Sequence, residues 1–221
     1  MLKELLNNKY VPHTSSGKFS ISSVGGCFRK KYLELKGEYK EDFNEDTKRI
    51  LNVGNIYHNK IIGEIIEKGN VSDLHIVASE FNIPIHPFLS GRIDAVLSDG
   101  INLYIIDIKS AGKFTMDKIK QGICPENYQD QIQLYMHLTG ILNGILLFVG
   151  KTDGQVEEFE VKYNKARALS LIEKIGDFMG TCVAKNILPD KCNGKPFGCK
   201  VCFPDGLTYK EIKEAKVTGI I

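Results

Sequence analysis

The chain has 221 residues, 43% hydrophobic and 25% charged, with a net charge of +2. Such a composition suits one sizeable α/β domain, or one domain with appendages, and excludes neither a nucleic-acid partner nor its absence, because a local groove matters more than the total charge. No apolar run reaches the ~18 residues of a membrane span. Met1-Leu2-Lys3-Glu4-Leu5-Leu6 lacks the apolar core and cleavage site of a secretory leader, so a cytoplasmic protein is expected.

Residues 1–18 read as a short helix and then a loop around Pro12 to Gly17. Cys27-Phe28-Arg29-Lys30-Lys31-Tyr32-Leu33 reads as a helix opening with a basic cluster. Cys27 is either a small buried hydrophobe or a metal ligand, and the basic cluster either a solvated face or a set of phosphate contacts. After a polar segment from Gly37 to Asp46, a helix is expected over Thr47–Lys68, with Asp46 as N-cap and Gly69 as the stop. Leu51, His58, Ile62 and Ile65 fall on one stripe of it. A histidine so placed is more often a satisfied core residue than a ligand. Ile76–Ile85 reads as a strand that ends before Pro87 and carries Glu80.

Gly91 to Lys109 reads as a hairpin. Val, Ile, Leu and Tyr fill both arms, and Asp99-Gly100 suits a two-residue type I′ turn. That turn sets Ser98 opposite Ile101 and Arg92 opposite Asp107. Asp94 then lies diagonally from Asp107 on one face, roughly 6–8 Å away at Cβ. Lys109 shares the face, because side chains alternate. Buried charge is costly unless paired or bound to a metal. The three residues therefore read either as an ion pair at a half-exposed edge or as a site for a hard cation such as Mg²⁺.

Ser110 to Lys113 reads as a loop. Pro125 opens a helix to about Leu142, stopped by Asn143-Gly144, with Tyr128, Gln131, Tyr135, Leu138 and Leu142 on its inward stripe. Ile145–Val149 is a buried strand and Val156–Tyr163 an alternating, edge-type strand. Asn164 caps a helix to about Asn186 that turns Leu169, Ile172, Ile175, Met179 and Val183 inward, and Pro189 ends it. The tail carries Cys192, Cys199 and Cys202. Four thiolates complete a zinc or iron–sulfur site. Cys27 supplies the fourth best, with Cys182 as its competitor. Cys124 reads as structural, and His13, His75, His86 and His137 have no assigned role.

Taken together, these residues resemble a known family. Asp94 followed by Asp107-Ile108-Lys109 resembles the D…(D/E)-x-K core of the PD-(D/E)XK nuclease superfamily. Gly91-Arg92-Ile93-Asp94, Gly54 to His58, and Gln131 to Tyr135 are similar to the Gly-x-x-Asp, Gly-x-x-x-His and Gln-x-x-x-Tyr motifs of its RecB-like branch, in the same order. Cys27 with the three tail cysteines resembles the iron–sulfur staple of Cas4- and AddB-type nucleases, although their close cysteine pair comes first and here it comes last.

The resemblance implies a restriction-endonuclease-like α/β fold: a central mixed sheet flanked by helices, with an N-/C-terminal cysteine-ligated metal subdomain. Residues 1–221 would form one nuclease domain, with a core at about 47–187 and the subdomain at about 19–36 and 188–205. The implied activity is metal-dependent hydrolysis at DNA ends, single strands favoured, in CRISPR adaptation or phage-type recombination and repair. His58, Asp94, Asp107 and the Ile108 carbonyl would hold Mg²⁺ or Mn²⁺. Lys109 would position or deprotonate the attacking water, Gln131 and Tyr135 would orient the strand, and Glu80 is a weaker candidate. Cys27, Cys192, Cys199 and Cys202 would hold a 4Fe–4S cluster, with Zn²⁺ as the alternative. Partners would be DNA, and CRISPR-adaptation or phage-recombination proteins. A DNA-end-binding subunit active only within a larger complex is the alternative function. A zinc-stabilised interaction module with an acidic surface hairpin is a third reading.

Overall fold

The computed structural model describes residues 16–41, 43–69, 74–193 and 199–203. Its elements are β1 (Phe19–Ser20), a 3-10 turn (Ile21–Ser23), α1 (Phe28–Lys36), α2 (Glu45–Gly69), β2 (His75–Asn82), β3 (Leu89–Ser90), β4 (Arg92–Ser98), β5 (Leu103–Ala111), α3 (Lys113–Lys120), α4 (Glu126–Thr139), β6 (Asn143–Gly150), β7 (Val156–Lys162), α5 (Lys165–Asp177) and a π-helical turn (Phe178–Val183). The helix expected at the N-terminus lies outside the described residues.

The central sheet has the order β2-β4-β5-β6-β7. Its neighbours are antiparallel except β5 and β6, which run parallel. A parallel pair cannot be joined by a tight turn, and the crossover is supplied by α3 and α4. Strand alternation then feeds two cores. Ile105, Leu146 and Phe148 join Ile132, Met136 and Ile175 from α4 and α5. Ile106, Ile108, Leu147 and Val149 join Ile62 from α2 on the other face. The expected architecture, a mixed sheet with helices on both sides, is the one observed. Phe19, Phe28 and Phe178 cluster, the last two stacked at 4.7 Å, and tie the chain's early and late segments together. Arg29 donates to the Pro189 carbonyl (2.9 Å) and Lys36 to the Val183 carbonyl (2.9 Å), which strengthens that junction. No helix among the described residues is long and apolar enough to cross a membrane.

Several local expectations are corrected. The hairpin turn is centred on Gly100-Ile101, not Asp99-Gly100. The Asp99 N–H donates to the Asn102 carbonyl (3.2 Å), and its carboxylate accepts from the Ile101 and Asn102 N–H groups (2.9 and 2.6 Å). Gly100 alone in this turn takes a positive φ, +85°, as a turn with glycine at its first central position requires. Ser98 therefore pairs with Leu103, and Ala95 with Ile106. The register moves by two residues, so no side chain changes face.

Elsewhere capping decides the boundaries. α2 starts at Glu45, two residues earlier than Asp46 as N-cap would allow, because Asn44 accepts the Thr47 N–H (2.9 Å). β2 stops at Asn82, before Pro84, which has no N–H to offer a ladder. β5 runs on through Ser110-Ala111, and Gly112 opens α3, whose Met116 and Ile119 are buried. α4 ends at Thr139 on a left-handed Gly140, not near Leu142. Gly144 is no stop signal; it opens β6, where a Cβ would meet Ile132 at 2.8 Å. The last helix gives way to the π-helical turn after Asp177, and Leu51 and Leu169 face solvent rather than the core.

Gln133, only 2% exposed, bridges α4 to the start of α5: it donates to the Lys162 carbonyl (2.7 Å) and accepts from the Asn164 N–H (2.8 Å). Gln133→Leu would leave two main-chain groups unpaired, at about 1–3 kcal/mol each. Urea unfolding should show a midpoint lowered accordingly, with an unchanged m-value.

Candidate active site and cysteine cluster

The pairing of β4 with β5 ends at Ala95–Ile106. Asp94 and Asp107, the next opposed positions, flank the opening. There the Asp94 carboxylate replaces the ladder: Oδ2 accepts the Ile108 N–H at 2.7 Å. Its Oδ1 lies 2.9 Å from His58 Nε2, which descends from α2. This hydrogen bond holds the imidazole pKa above its usual value, against the opposing effect of burial.

Asp107 is 1% exposed. Burial pushes its pKa up to about 6; Lys109 draws it down and the Asp94 charge adds to the rise. Gln131 Nε2 donates to its Oδ1 at 2.9 Å. Lys109 Nζ stands 2.8 Å from Oδ2, but off the line of a hydrogen bond. Oδ2 is thus the buried side-chain oxygen without a hydrogen-bond donor among the described residues. The ammonium donates instead to Gln131 Oε1 (3.0 Å) and lies 5.1 Å from the centre of the Tyr128 ring. Burial would lower the Lys109 pKa; the Asp107 carboxylate outweighs it and the net shift is upward.

Gln131 therefore serves both charges at once, which fixes the orientation of its amide. Its Nε2 also reaches the Tyr135 hydroxyl (3.4 Å), and that hydroxyl donates to the Arg92 carbonyl (3.0 Å). Burial raises the Tyr135 pKa and keeps the phenol neutral. So Tyr135 anchors β4 beside the site and does not open onto it.

Two glycines in this neighbourhood have a steric explanation. A Cβ on Gly91 would fall 2.9 Å from the Tyr135 ring, and one on Gly54 would fall 3.2 Å from Ser110 Oγ. The first lets Tyr135 pass under β4; the second lets α2 approach β5 closely enough for His58 to reach Asp94. Glu80 registers opposite Asp94, between the pairs Ser79–Ala95 and Phe81–Ile93. It adopts φ +51° and its carboxylate pairs with Arg92 (2.8 Å) rather than with the site. Tyr128 contributes more than its place on the inward stripe suggested, because its ring lies beside the lysine. Its position three residues before Gln131, on the same helical face, was the available signal.

Cys27, Cys192, Cys199 and Cys202 bring their Sγ atoms within 4.8 Å of one another and could hold a metal ion. Cys27 is the N-cap of α1, with Sγ accepting the Lys30 N–H at 3.4 Å and standing 3.5 Å from the Cys202 sulfur. Burial pushes the Cys27 thiol up. Burial acts in the same direction on Cys199, but the Cys202 and Val201 N–H groups reverse it and the net shift is down. Four thiols converging in one half-buried cluster suit a cation that binds them as thiolates. Cys182 lies outside the group and packs against the main core, and Cys124 is buried in that core.

No protein-family model matches the sequence, and a search of curated proteins finds no match. Among solved structures, an alkaline exonuclease from Laribacter hongkongensis (LHK-Exo) aligns with a TM-score of 0.58 at 19% identity, over 76% of this chain and 89% of that one. Its complex with dAMP aligns with a TM-score of 0.59 at 20% identity, over the same shares, 76% and 89%. SSO0001 aligns with a TM-score of 0.53 at 20% identity, over 94% of this chain and 93% of that one. At such identities the likeness is one of fold: the sheet and its helices are arranged as in these structures.

Proposed function

We propose that the chain is a divalent-metal-dependent deoxyribonuclease acting at DNA ends. The carrying observation is the buried Asp107 carboxylate, with one oxygen lacking a donor, set among Lys109, Gln131, Asp94 and His58. A buried carboxylate oxygen met only by the Lys109 ammonium among the described residues, beside a second carboxylate and an imidazole, fits a hard cation. The fold shared with the alkaline exonuclease LHK-Exo, seen also in its complex with dAMP, supports the same reading. Asp94, Asp107, His58 and the Ile108 carbonyl would hold Mg²⁺ or Mn²⁺, which supplies phosphate polarisation and a lowered pKa for the attacking water. Lys109 stays an ammonium at neutral pH and positions that water by donating to it. Gln131 keeps Lys109 and Asp107 in register, and Tyr135 holds β4 in place. The likeness to Cas4-type enzymes supports a role in CRISPR adaptation or phage-type recombination, with single-stranded ends as substrate.

We further propose a metal staple at the four cysteines. The resemblance supports a 4Fe–4S cluster, and one observation favours a second reading. Four sulfurs 2.3 Å from a tetrahedral zinc stand about 3.8 Å apart, close to the 3.5 Å between Cys27 and Cys202. A cluster gives each thiolate its own iron, which needs a wider spread.

With Mn²⁺ or Mg²⁺ the protein should digest linear DNA. Asp107→Ala or Lys109→Ala should lower the rate by at least ~10²-fold without loss of fold. Digestion that persists in excess EDTA overturns the metal mechanism, and binding without cleavage points to a subunit of a larger complex. The second expectation concerns pH. Asp107 binds its proton more tightly folded (about 6) than unfolded (3.8). Its contribution to stability is therefore full below pH 4 and is lost as pH rises through 6. In EDTA, Asp107→Asn should flatten this fall, and because it leaves the Lys109 ammonium without its carboxylate it should not melt above wild type. Saturating Mg²⁺ should raise the wild-type Tm more at pH 8 than at pH 5, because the proton competes. As for the staple, anaerobically purified protein should be brown with equal iron and acid-labile sulfide, or colourless with one zinc per chain. Cys27→Ser should lose the metal, whereas Cys182→Ser should keep it; a metal content indifferent to Cys27→Ser removes the staple.

A further inference from the structure

A cavity of about 680 Å³ lies between α1 and α3, over the start of α4. One wall is the turn before α1 together with Lys30 and Lys31; the other is Phe114 and Lys118 of α3; Tyr128 is part of the floor. Tyr128 also lies beside Lys109, whose Nζ is 5.1 Å from the centre of its ring, so one residue borders both the cavity and the carboxylate site. The turn before α1 packs flush against α4: a Cβ on Gly25 (φ +79°) would fall 2.7 Å from Asn127 Cβ.

The lining chemistry is specific. Three lysines face one carboxylate, Glu34. Lys30 and Lys31 are paired with Glu41 (2.7 Å) and Glu34 (3.2 Å) near the surface, where such pairs contribute little and exchange readily for a phosphate. Phe114 is 74% exposed, an unusual position for a large apolar ring, and Lys118 Nζ stands 4.4 Å over its centre. An exposed aromatic ring beside cations, in a groove bordered by the same Tyr128 that flanks Lys109, is the arrangement that binds unpaired bases and their backbone.

We propose that this groove is the channel for a single DNA strand. Phe114 stacks on a base, and Lys30, Lys31 and Lys118 meet the phosphates on either side. A base stacked on Phe114 must be unpaired, so the groove takes a single strand in preference to a duplex. The inference rests on the nuclease reading for its choice of DNA as the polyanion, but its test does not require cleavage.

The measurement is fluorescence anisotropy of a labelled oligothymidylate with full-length protein in EDTA. Phe114→Ala should weaken binding by roughly 5–100-fold, the range expected for one stacked base, and Phe114→Trp should restore it. Lys31→Ala and Lys118→Ala should each reduce the slope of log affinity against log salt by about 0.7. Lys162→Ala, on the far edge strand, should change neither. Wild-type affinity in Phe114→Ala, or displacement by duplex as effective as by single strand, overturns the groove. If the Phe114 effect is seen but Mn²⁺ elicits no digestion by wild type, the groove stands and the nuclease reading falls. Digestion with unaltered binding by Phe114→Ala does the reverse.

Discussion

A carboxylate kept out of water, with an ammonium beside it and an oxygen left without a donor, is the constraint on which the neighbouring structure depends. Ionised Asp107 is tolerable only because Lys109 stands 2.8 Å away and Gln131 donates to the other oxygen. Lys109, largely buried, depends on Asp107 in turn. Removing either charge would strand the other, which costs far more than the pair contributes to stability. Gln131 and Tyr135 complete a network in which each polar group has one orientation, and that orientation reaches the Arg92 carbonyl in β4.

The fold supplies the place for this network by letting two strands separate. β4 and β5 pair from the hairpin up to Ala95–Ile106, and the Asp94 side chain then takes over from the backbone by accepting the Ile108 N–H. β5 remains paired along its other edge with β6 up to Ala111–Gly150. Asp107 and Lys109 are therefore carried on a rigid strand while a space opens beside them. The helices approach that space at two points where a side chain is missing, Gly54 and Gly91. Residues on rigid elements, supported by a packed surrounding layer, hold catalytic geometry better than residues on loops.

Much of this was legible in the sequence, for identifiable reasons. Period-two alternation in β4 and β5 placed their carboxylates without knowledge of the turn. The turn itself was assigned one residue off, and the face survived because the resulting slip was even. Local capping was harder to read. Asn44 and Asp46 are both good N-caps, and only the carbonyl geometry of the loop before α2 selects the first. Gly140 and Gly144 are equally plausible helix stops, and packing against Ile132 reserves the second for a strand. What had no signal was the contact between distant segments. The placement of α3 across from α1 follows from no spacing. The cysteines are an intermediate case: four sulfurs announce a site, but their convergence over 175 positions depends on the Phe19–Phe28–Phe178 cluster, whose members look like ordinary core residues.

That convergence bears on biosynthesis. Chains emerge N-terminus first, and a domain acquires structure as its contacts become available. Asp94, Asp107 and Lys109 leave the ribosome well before Cys192, Cys199 and Cys202. α1, capped by Cys27 and forming one wall of the cavity, has its partner sulfurs and its Pro189 and Val183 carbonyl contacts only after every strand of the sheet has been made. A nascent chain can thus assemble its sheet early while the wall of the cavity stays incomplete. A chain truncated before Cys192 would keep Asp94, Asp107 and Lys109, and the Phe178, Val183 and Pro189 contacts of α1, but would leave Cys27 without its three partner sulfurs.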